Sequence, residues 1–138
     1  MKVFLGGTCN NSKWRDELIP MLNIDYFNPV LENAKKWDEK KQEIEKLEKE
    51  KADFCLYIIT PKMSGVFSIA EAVDDSNKRP ERTLFCFLQK DEGQRFKSSQ
   101  IKSLIAVKEL IVNNGGKVFN NLLEIAEFLN SQTKKSKQ

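Results

Sequence analysis

One short apolar run divides a chain that is otherwise rich in charged positions. Residues 54–59 (FCLYII) carry no charge, and the run is too short to form a membrane helix. Such a run is typical of a strand that is buried on both faces in the centre of a parallel sheet. The turn-forming pairs 60–61 (TP) and 64–65 (SG) follow, and apolar residues then recur at helical spacing from Val66. The pattern predicts a central strand, a turn and a helix.

The same alternation of apolar strands and amphipathic helices extends in both directions along the chain. Four further strands are expected near residues 2–5, 24–27, 83–88 and 117–119. We expect one helix to begin at Ser12 as its N-cap, others to fill the charged run 32–51 and the segment 101–112, and a last helix to be capped by Asn120. We interpret residues 89–97 as a charged loop.

This order of elements predicts a single α/β domain. The domain is expected to be doubly wound and flavodoxin-like, with a mainly parallel five-stranded sheet between helices. Its first and third strands should be neighbours. We expect the domain to span residues 1–130, followed by a disordered tail, rich in Lys and Ser, at 131–138.

The charge balance and the absence of histidine narrow the possible chemistry. The 23 basic and 20 acidic residues are interleaved, which disfavours a nucleic-acid partner. No segment resembles a signal peptide or a membrane span, so a cytoplasmic location without membrane attachment is expected. The chain has no histidine, which excludes the common zinc sites, Ser-His-Asp triads and imidazole bases. Catalysis would therefore use carboxylates, hydroxyls, amides or lysines, without a metal or a cofactor.

The cysteines do not suggest a metal site or a disulfide framework. Cys9, Cys55 and Cys86 are odd in number and lack metal-ligand spacing. Two of them, Cys55 and Cys86, fall in apolar strand-like runs. We expect free thiols, with these two buried.

Polar and glycine-containing turns follow three of the predicted strands. They are Gly6-Gly7-Thr8 after the first strand, Asn28-Pro29 after the second and Ser64-Gly65 after the third. The carboxyl ends of parallel strands meet at one edge of an open sheet, where ligands bind. The paired glycines either let backbone amides approach a ligand or simply form a tight turn. The sequence therefore predicts a site at this edge.

Glu71 is the strongest candidate for catalysis in this region. It is expected about one turn into the helix that follows the central strand, beside the same edge of the sheet. The competing interpretation is a surface carboxylate that pairs with a lysine or an arginine.

Taken together, these residues resemble the nucleoside 2-deoxyribosyltransferase-like family. The resemblance covers about the first two thirds of the chain and rests on Leu5-Gly6-Gly7-Thr8, Trp14-Arg15, Asn28-Pro29, Glu45 ahead of Ala52-Asp53, and the turn into the Glu71 helix. It implies a Rossmann-like domain that cleaves the N-glycosidic bond of deoxyribonucleosides or their 5′-monophosphates. The chain departs from many members at Ser64, where they carry Asp, and at Phe4, where they carry Tyr.

The resemblance also implies roles for individual residues. Glu71 matches the nucleophile, and Glu45 matches the acidic residue that handles the base. The turn from Gly6 to Thr8 would line the sugar or phosphate pocket. The other substrate-binding positions that it implies are Trp14, Asn28, Pro29, Ser64 and Gly65. A small-molecule nucleoside or nucleotide is the implied partner, together with a homo-oligomer, since such folds often complete their pocket across a subunit interface.

The implied chemistry suits a chain without histidine. Cleaving a C–N glycosidic bond builds positive charge on the sugar, which a nearby carboxylate stabilises or traps covalently. A second acid can protonate the departing base when burial or a like-charged neighbour raises its pKa. For Glu45, the competing interpretation is a charged residue on a solvated helix face. Three functions stay open: transfer of the sugar to a second base, hydrolysis of a nucleotide or of a ribosyl compound such as NAD, and nucleotide binding without turnover.

Overall fold

The computed structural model describes residues 1–9, 11–30 and 39–136, with side chains up to residue 132. Its helices are α1 (Trp14–Leu18), α2 (Glu39–Lys51), α3 (Phe67–Lys78), α4 (Ser98–Asn113) and α5 (Leu122–Ser136). Its strands are β1 (Lys2–Gly7), β2 (Asp25–Phe27), β3 (Phe54–Ile59), β4 (Thr83–Phe87), β5 (Lys90–Asp91), β6 (Gln94–Arg95) and β7 (Lys117–Phe119). None of the helices in this described part of the chain is long and apolar enough to cross a membrane.

Five strands form one all-parallel sheet in the order β2-β1-β3-β4-β7. Strands β1 and β3 pair directly, with Val3 opposite Phe54 and Gly7 opposite Ile58. The predicted α/β fold and the predicted adjacency of these two strands are confirmed. The strand order reverses between β1 and β3, and in such sheets the crevice at the reversal is where ligands bind.

Helices cover both faces of the sheet, which explains why β3 is apolar throughout. Leu56 and Ile58 belong to an apolar cluster that includes residues of α1 and α5. Tyr57 and Ile59 point the other way, into a second cluster with residues of α3 and α4. All six residues of β3 are buried, so no position on this strand tolerates a charge.

Strands β5 and β6 form a hairpin where the sequence predicted a charged loop. Asp91 pairs with Gln94 across a two-residue turn in which Glu92 and Gly93 both have positive φ, 47° and 86°. A two-residue turn of this kind matches the right-handed twist of the strands that it joins. The prediction of a loop was wrong because the paired segments are only two residues long and carry no apolar alternation.

Two predicted helix caps were also wrong. Helix α1 begins after Lys13, and Ser12 instead donates a hydrogen bond from Oγ to Asp91 Oδ2, at 2.5 Å. At α5 the cap is Asn121 rather than its neighbour Asn120, since Asn121 Oδ1 accepts the backbone N–H of Glu124 at 2.9 Å.

The ends of two predicted segments differ from the described structure. Helix α5 continues to Ser136, beyond residue 131, where the sequence predicted the tail to begin. Helix α2 begins at Glu39, and the part of the predicted charged helix at 32–38 lies outside the described residues.

All three cysteines are free thiols in the described structure. Cys55 and Cys86 are buried in β3 and β4, as predicted, whereas Cys9 is exposed. Burial, reinforced by nearby carboxylates, raises the pKa of both buried thiols, to about 12 for Cys86.

The contact between Gly7 and β3 fixes the end of β1. Gly7 has a φ of 114°, and a Cβ on it would lie 2.1 Å from the backbone oxygen of Ile58. Both the backbone conformation and the space therefore require glycine. Packing against β3 therefore explains the glycine at position 7.

We expect Gly7→Ala to lower the free energy of unfolding by about 3 kcal/mol or more, because the new methyl group collides with the β3 backbone at a strained φ. Gly65→Ala is the matched control, since a Cβ there meets nothing within 4 Å and its φ is not positive. The control should change stability by less than about 0.5 kcal/mol. Urea denaturation measures both values, and equal losses in the two variants would contradict this account of β1.

Candidate active site

The turns after β1 and β3 are joined by hydrogen bonds at the reversal point of the sheet. The backbone N–H of Thr8 donates to the carbonyl of Ile58 at 2.8 Å, and Thr8 Oγ1 accepts the backbone N–H of Thr60 at 3.0 Å. Thr8 and Thr60 are both buried. The predicted meeting of the first and third turns at one edge is therefore built from direct contacts.

Trp14 and Arg15 hold the end of β1 from the first turn of α1. The Arg15 guanidinium donates to the carbonyl oxygens of Leu5, at 2.9 and 3.1 Å, and of Thr8, at 2.8 Å. Trp14 Nε1 donates to the same Thr8 oxygen at 2.9 Å, and the guanidinium lies 4.2 Å from the indole ring. Both side chains are buried, and burial lowers the Arg15 pKa to about 10, although the charge of Glu45 opposes this. Trp14, predicted to bind substrate, thus contacts the turn itself.

Glu71 of α3 lies next to a lysine of α2, and we call the space around their contact the α2–α3 crevice. Lys49 Nζ lies 2.9 Å from Glu71 Oε2 and 3.4 Å from Asp75 Oδ2. The ammonium also lies 5.3 Å from the centre of the Tyr57 ring, on the face that such cations prefer. Glu71 is half-buried, with 30% of its side chain exposed, so a ligand in the crevice can reach it.

Asp75 is the buried anchor of this group. It accepts a hydrogen bond from the Tyr57 hydroxyl, and its Oδ1 accepts another from Arg79 at 2.9 Å. Burial alone would raise the Asp75 pKa, but the Tyr57 hydrogen bond, the Lys49 charge and Arg79 together lower it. Burial and the same hydrogen bond raise the pKa of Tyr57. Asp75 is thus held as an anion and Tyr57 as a neutral donor.

Glu45 lies on α2, one turn before Lys49, and is partly buried. Burial raises its pKa, and the negative charge of Glu71 raises it further, against the opposing charges of Lys49 and Arg15. Lys49, four residues after Glu45 on the same helix, contacts Glu71 Oε2 at 2.9 Å. Glu45 and Glu71 therefore lie on different helices with Lys49 as a shared neighbour.

The remaining predicted site residues lie on the loops around this edge. Asn28 and Pro29 are half-buried after β2, and Asn28 Oδ1 accepts the backbone N–H of Val30 at 3.0 Å. Ser64 and Gly65 are exposed on the loop that leads into α3. These four residues lie on the loops after β2 and β3, whereas Glu45 and Glu71 lie within the helices α2 and α3.

The β5–β6 hairpin adds a feature that the sequence did not predict. Asp91 Oδ2 accepts hydrogen bonds from Ser12 Oγ, at 2.5 Å, and from Thr60 Oγ1, at 2.7 Å. Glu92 pairs with Lys62, with Nζ 2.6 Å from Oε1. The hairpin therefore crosses the carboxyl ends of β1 and β3 and ties together the loops that follow them.

Lys49, Tyr57 and Asp75 were also not predicted as site residues. Lys49 lies in a helix in which charged residues dominate, and a charged run usually indicates a solvated face. The available signal was spacing, since Glu45 and Lys49, like Glu71 and Asp75, are four residues apart and so share a helix face.

We expect Asp75→Asn to lower the free energy of unfolding near neutral pH by about 3 kcal/mol, because Lys49 and Arg79 lose their buried counter-charge. The folded-state pKa of Asp75 is lowered, so its stabilisation is present above the unfolded pKa and is lost as the pH falls through the folded pKa. The difference in the free energy of unfolding between the wild type and Asp75→Asn should therefore become smaller in acid.

Urea denaturation over a pH series tests this expectation. Asp74→Asn is the control, because Asp74 forms an exposed pair with Lys78 on the same helix and should change stability by less than about 0.5 kcal/mol. If the loss of stability in Asp75→Asn stays constant down to strongly acid pH, the negative charge of Asp75 is not what stabilises the protein.

Comparison with known proteins identifies a family for this chain. The family model described as "Nucleoside 2-deoxyribosyltransferase like" matches residues 1–89 of the 138. A search of curated proteins found no match. The matched segment contains β1 to β4 and every residue of the α2–α3 crevice. The chain belongs to the nucleoside 2-deoxyribosyltransferase-like family.

Proposed function

We propose that this protein cleaves the N-glycosidic bond of a deoxyribonucleoside or its 5′-monophosphate, with Glu71 as nucleophile and Glu45 as the acid that serves the base. The observation that carries the proposal is the ion pair of Glu71 with Lys49, which lies one turn after Glu45 on α2, so that carboxylates from two helices share one cationic neighbour. Family membership supports the reaction class.

The two glutamates suit different halves of the chemistry. A carboxylate next to the anomeric carbon stabilises the positive charge that develops on the sugar, or forms a covalent bond to it. A carboxylic acid with a raised pKa keeps its proton to higher pH and can deliver it to the departing base. Glu45 has the raised pKa, and Glu71 has the partner that orients it. The division of roles follows from these two environments.

The loops around the crevice are the proposed walls of the substrate site. The turn Gly6 to Thr8 and the exposed Ser64 and Gly65 lie at the same edge, where they can bind the sugar or its phosphate. Asn28 and Pro29 border it from the end of β2. Trp14 acts indirectly in this proposal, because its indole N–H holds the turn at Thr8.

We expect Glu71→Gln to lower kcat by about a hundredfold or more, because glutamine keeps the size of the side chain but loses the charge and most of the nucleophilicity. The assay is release of base from a panel of deoxynucleosides and 5′-monophosphates, with and without a free acceptor base. Asp74→Asn, an exposed change on the same helix, controls for general damage.

The same panel separates the possible reactions. Release that requires the acceptor base indicates a transferase, and release without it indicates a hydrolase. A folded Glu71→Gln protein with turnover close to that of the wild type would mean that Glu71 is not the nucleophile. A wild type that releases no base from any substrate would overturn the proposed function.

We expect Glu45→Gln to reduce base release less than Glu71→Gln does, and to remove a decline in activity at high pH. The wild-type rate should fall as the pH rises through the raised pKa of Glu45, because the acid then loses the proton that it gives to the base. Glutamine has no such proton to lose. A pH–rate profile of both proteins measures the effect.

Stability provides an independent check on Glu45. Its raised folded-state pKa means that its contribution to stability is present at low pH and is lost as the pH rises through that pKa. Glu45→Gln should therefore be more stable than wild type at neutral pH and equal to it in acid. Glu43→Gln, an exposed change on the same helix, should alter neither. A Glu45→Gln protein that is less stable at neutral pH would contradict the assigned environment.

A further inference from the structure

The two oxygens of the Glu71 carboxylate have different surroundings. Oε2 accepts a hydrogen bond from Lys49 Nζ at 2.9 Å. Oε1 has no hydrogen-bond partner among the residues that the structure describes. One oxygen is therefore bound to the protein, and the other is available to a ligand in the crevice.

Lys49 is itself held in place on several sides. Its side chain is only 18% exposed, and Nζ lies 3.4 Å from Asp75 Oδ2 and 5.3 Å from the Tyr57 ring centre. Asp75 is fixed in turn by the Tyr57 hydroxyl and by Arg79. A lysine side chain is flexible when unrestrained, so these contacts are what give its ammonium a defined position.

We infer that Lys49 is a positioning residue for glycosyl transfer: it turns Oε1 of Glu71 toward the anomeric carbon and stabilises the Glu71 carboxylate when that group departs from the sugar. The inference rests on the proposed function and assigns the partner of its nucleophile. Lys49 acts through Glu71 and need not touch the substrate.

The proposed reaction has two steps, and the bonds, electron pairs and protons balance over the two. In the first, Glu71 Oε1 bonds to the anomeric carbon as the C–N bond breaks, and the base nitrogen takes the electron pair of that bond and a proton from Glu45. In the second, an acceptor base or water bonds to the anomeric carbon as the bond to Oε1 breaks. The electron pair returns to the Glu71 carboxylate, and the proton of the acceptor goes to Glu45.

Lys49 matters most in the second half. The departing carboxylate regains its full negative charge, and the ammonium bound to Oε2 stabilises it in a partly desolvated crevice. In the first half, loss of the ammonium disturbs orientation but also frees the carboxylate from a counter-ion that weakens it as a nucleophile. Burial lowers the Lys49 pKa, but Glu71 and Asp75 raise it by more, so Lys49 serves as a lasting positive charge rather than as a proton donor.

The test compares Lys49→Met with Lys49→Arg and with Lys46→Met, an exposed lysine on the same helix. The substrate is whichever member of the deoxynucleoside panel the wild type cleaves. We expect Lys49→Met to lower kcat by about tenfold or more, with a smaller change in KM, because the slowed step follows substrate binding. Intact-protein mass spectrometry during turnover should then detect protein carrying one deoxyribosyl group, with the ester on Glu71.

The controls distinguish this role from a merely structural one. Lys49→Arg should recover much of kcat, because it keeps the charge next to Glu71, and Lys46→Met should behave as wild type. Thermal melts establish that each variant is folded, and if Lys49→Met is not, Lys49→Gln replaces it as the uncharged variant. If Lys49 had only a structural role, a folded but destabilised Lys49→Met protein would lose activity without accumulating the deoxyribosyl ester.

Two results would overturn the inference while leaving the proposed function in place. One is a folded Lys49→Met protein with wild-type kcat while Glu71→Gln is inactive. The other is a loss of kcat in Lys49→Met with no deoxyribosyl ester. A wild type that cleaves none of the panel would overturn both the proposed function and this inference.

Discussion

The carboxyl end of β1 depends on a buried cation bound to backbone carbonyls. Burying a guanidinium is costly unless its donors are satisfied, and Arg15 satisfies them on the oxygens of Leu5 and Thr8. Leu5 lies within β1 and Thr8 directly follows it, so the guanidinium links the last part of the strand to the turn. With the turn fixed, Thr8 can accept the N–H of Thr60 and so set the start of the loop that leads to α3. The turn after β1 and the loop after β3 are therefore positioned together.

Three carboxylates on α2 and α3 have different surroundings. Asp75 is deeply buried, but a hydroxyl, a lysine and an arginine stabilise its charge. Burial and the negative charge of Glu71 raise the pKa of Glu45. Glu71 lies between them, bound to the lysine that also contacts Asp75. Environments that separate otherwise similar carboxyl groups are what acid and nucleophile roles require.

Local sequence patterns predicted the elements better than the contacts between them. The apolar run of β3 has one reasonable interpretation, and the alternation of strands and helices determined the parallel sheet. The need for glycine at position 7 could not be derived in this way, because it comes from Ile58, on a strand that pairs with β1 only in the folded chain. Lys49 was missed for a similar reason. Lys49 points inward because it contacts Tyr57 on β3 and Asp75 on α3. The periodicity of a charged helix contains no information about residues on other strands and helices.

The β5–β6 hairpin differs from the rest of the sheet edge in how it is attached. Among the described residues, the hairpin strands contact the loops after β1 and β3 through side chains, chiefly those of Asp91 and Glu92. It also begins at residue 90, directly after the segment that the family model matches. A segment attached in this way can change in length or sequence without disturbing the hydrogen bonds of the parallel strands. The hairpin can therefore vary while the ion pairs between α2 and α3 and the pairing of the parallel strands stay as they are.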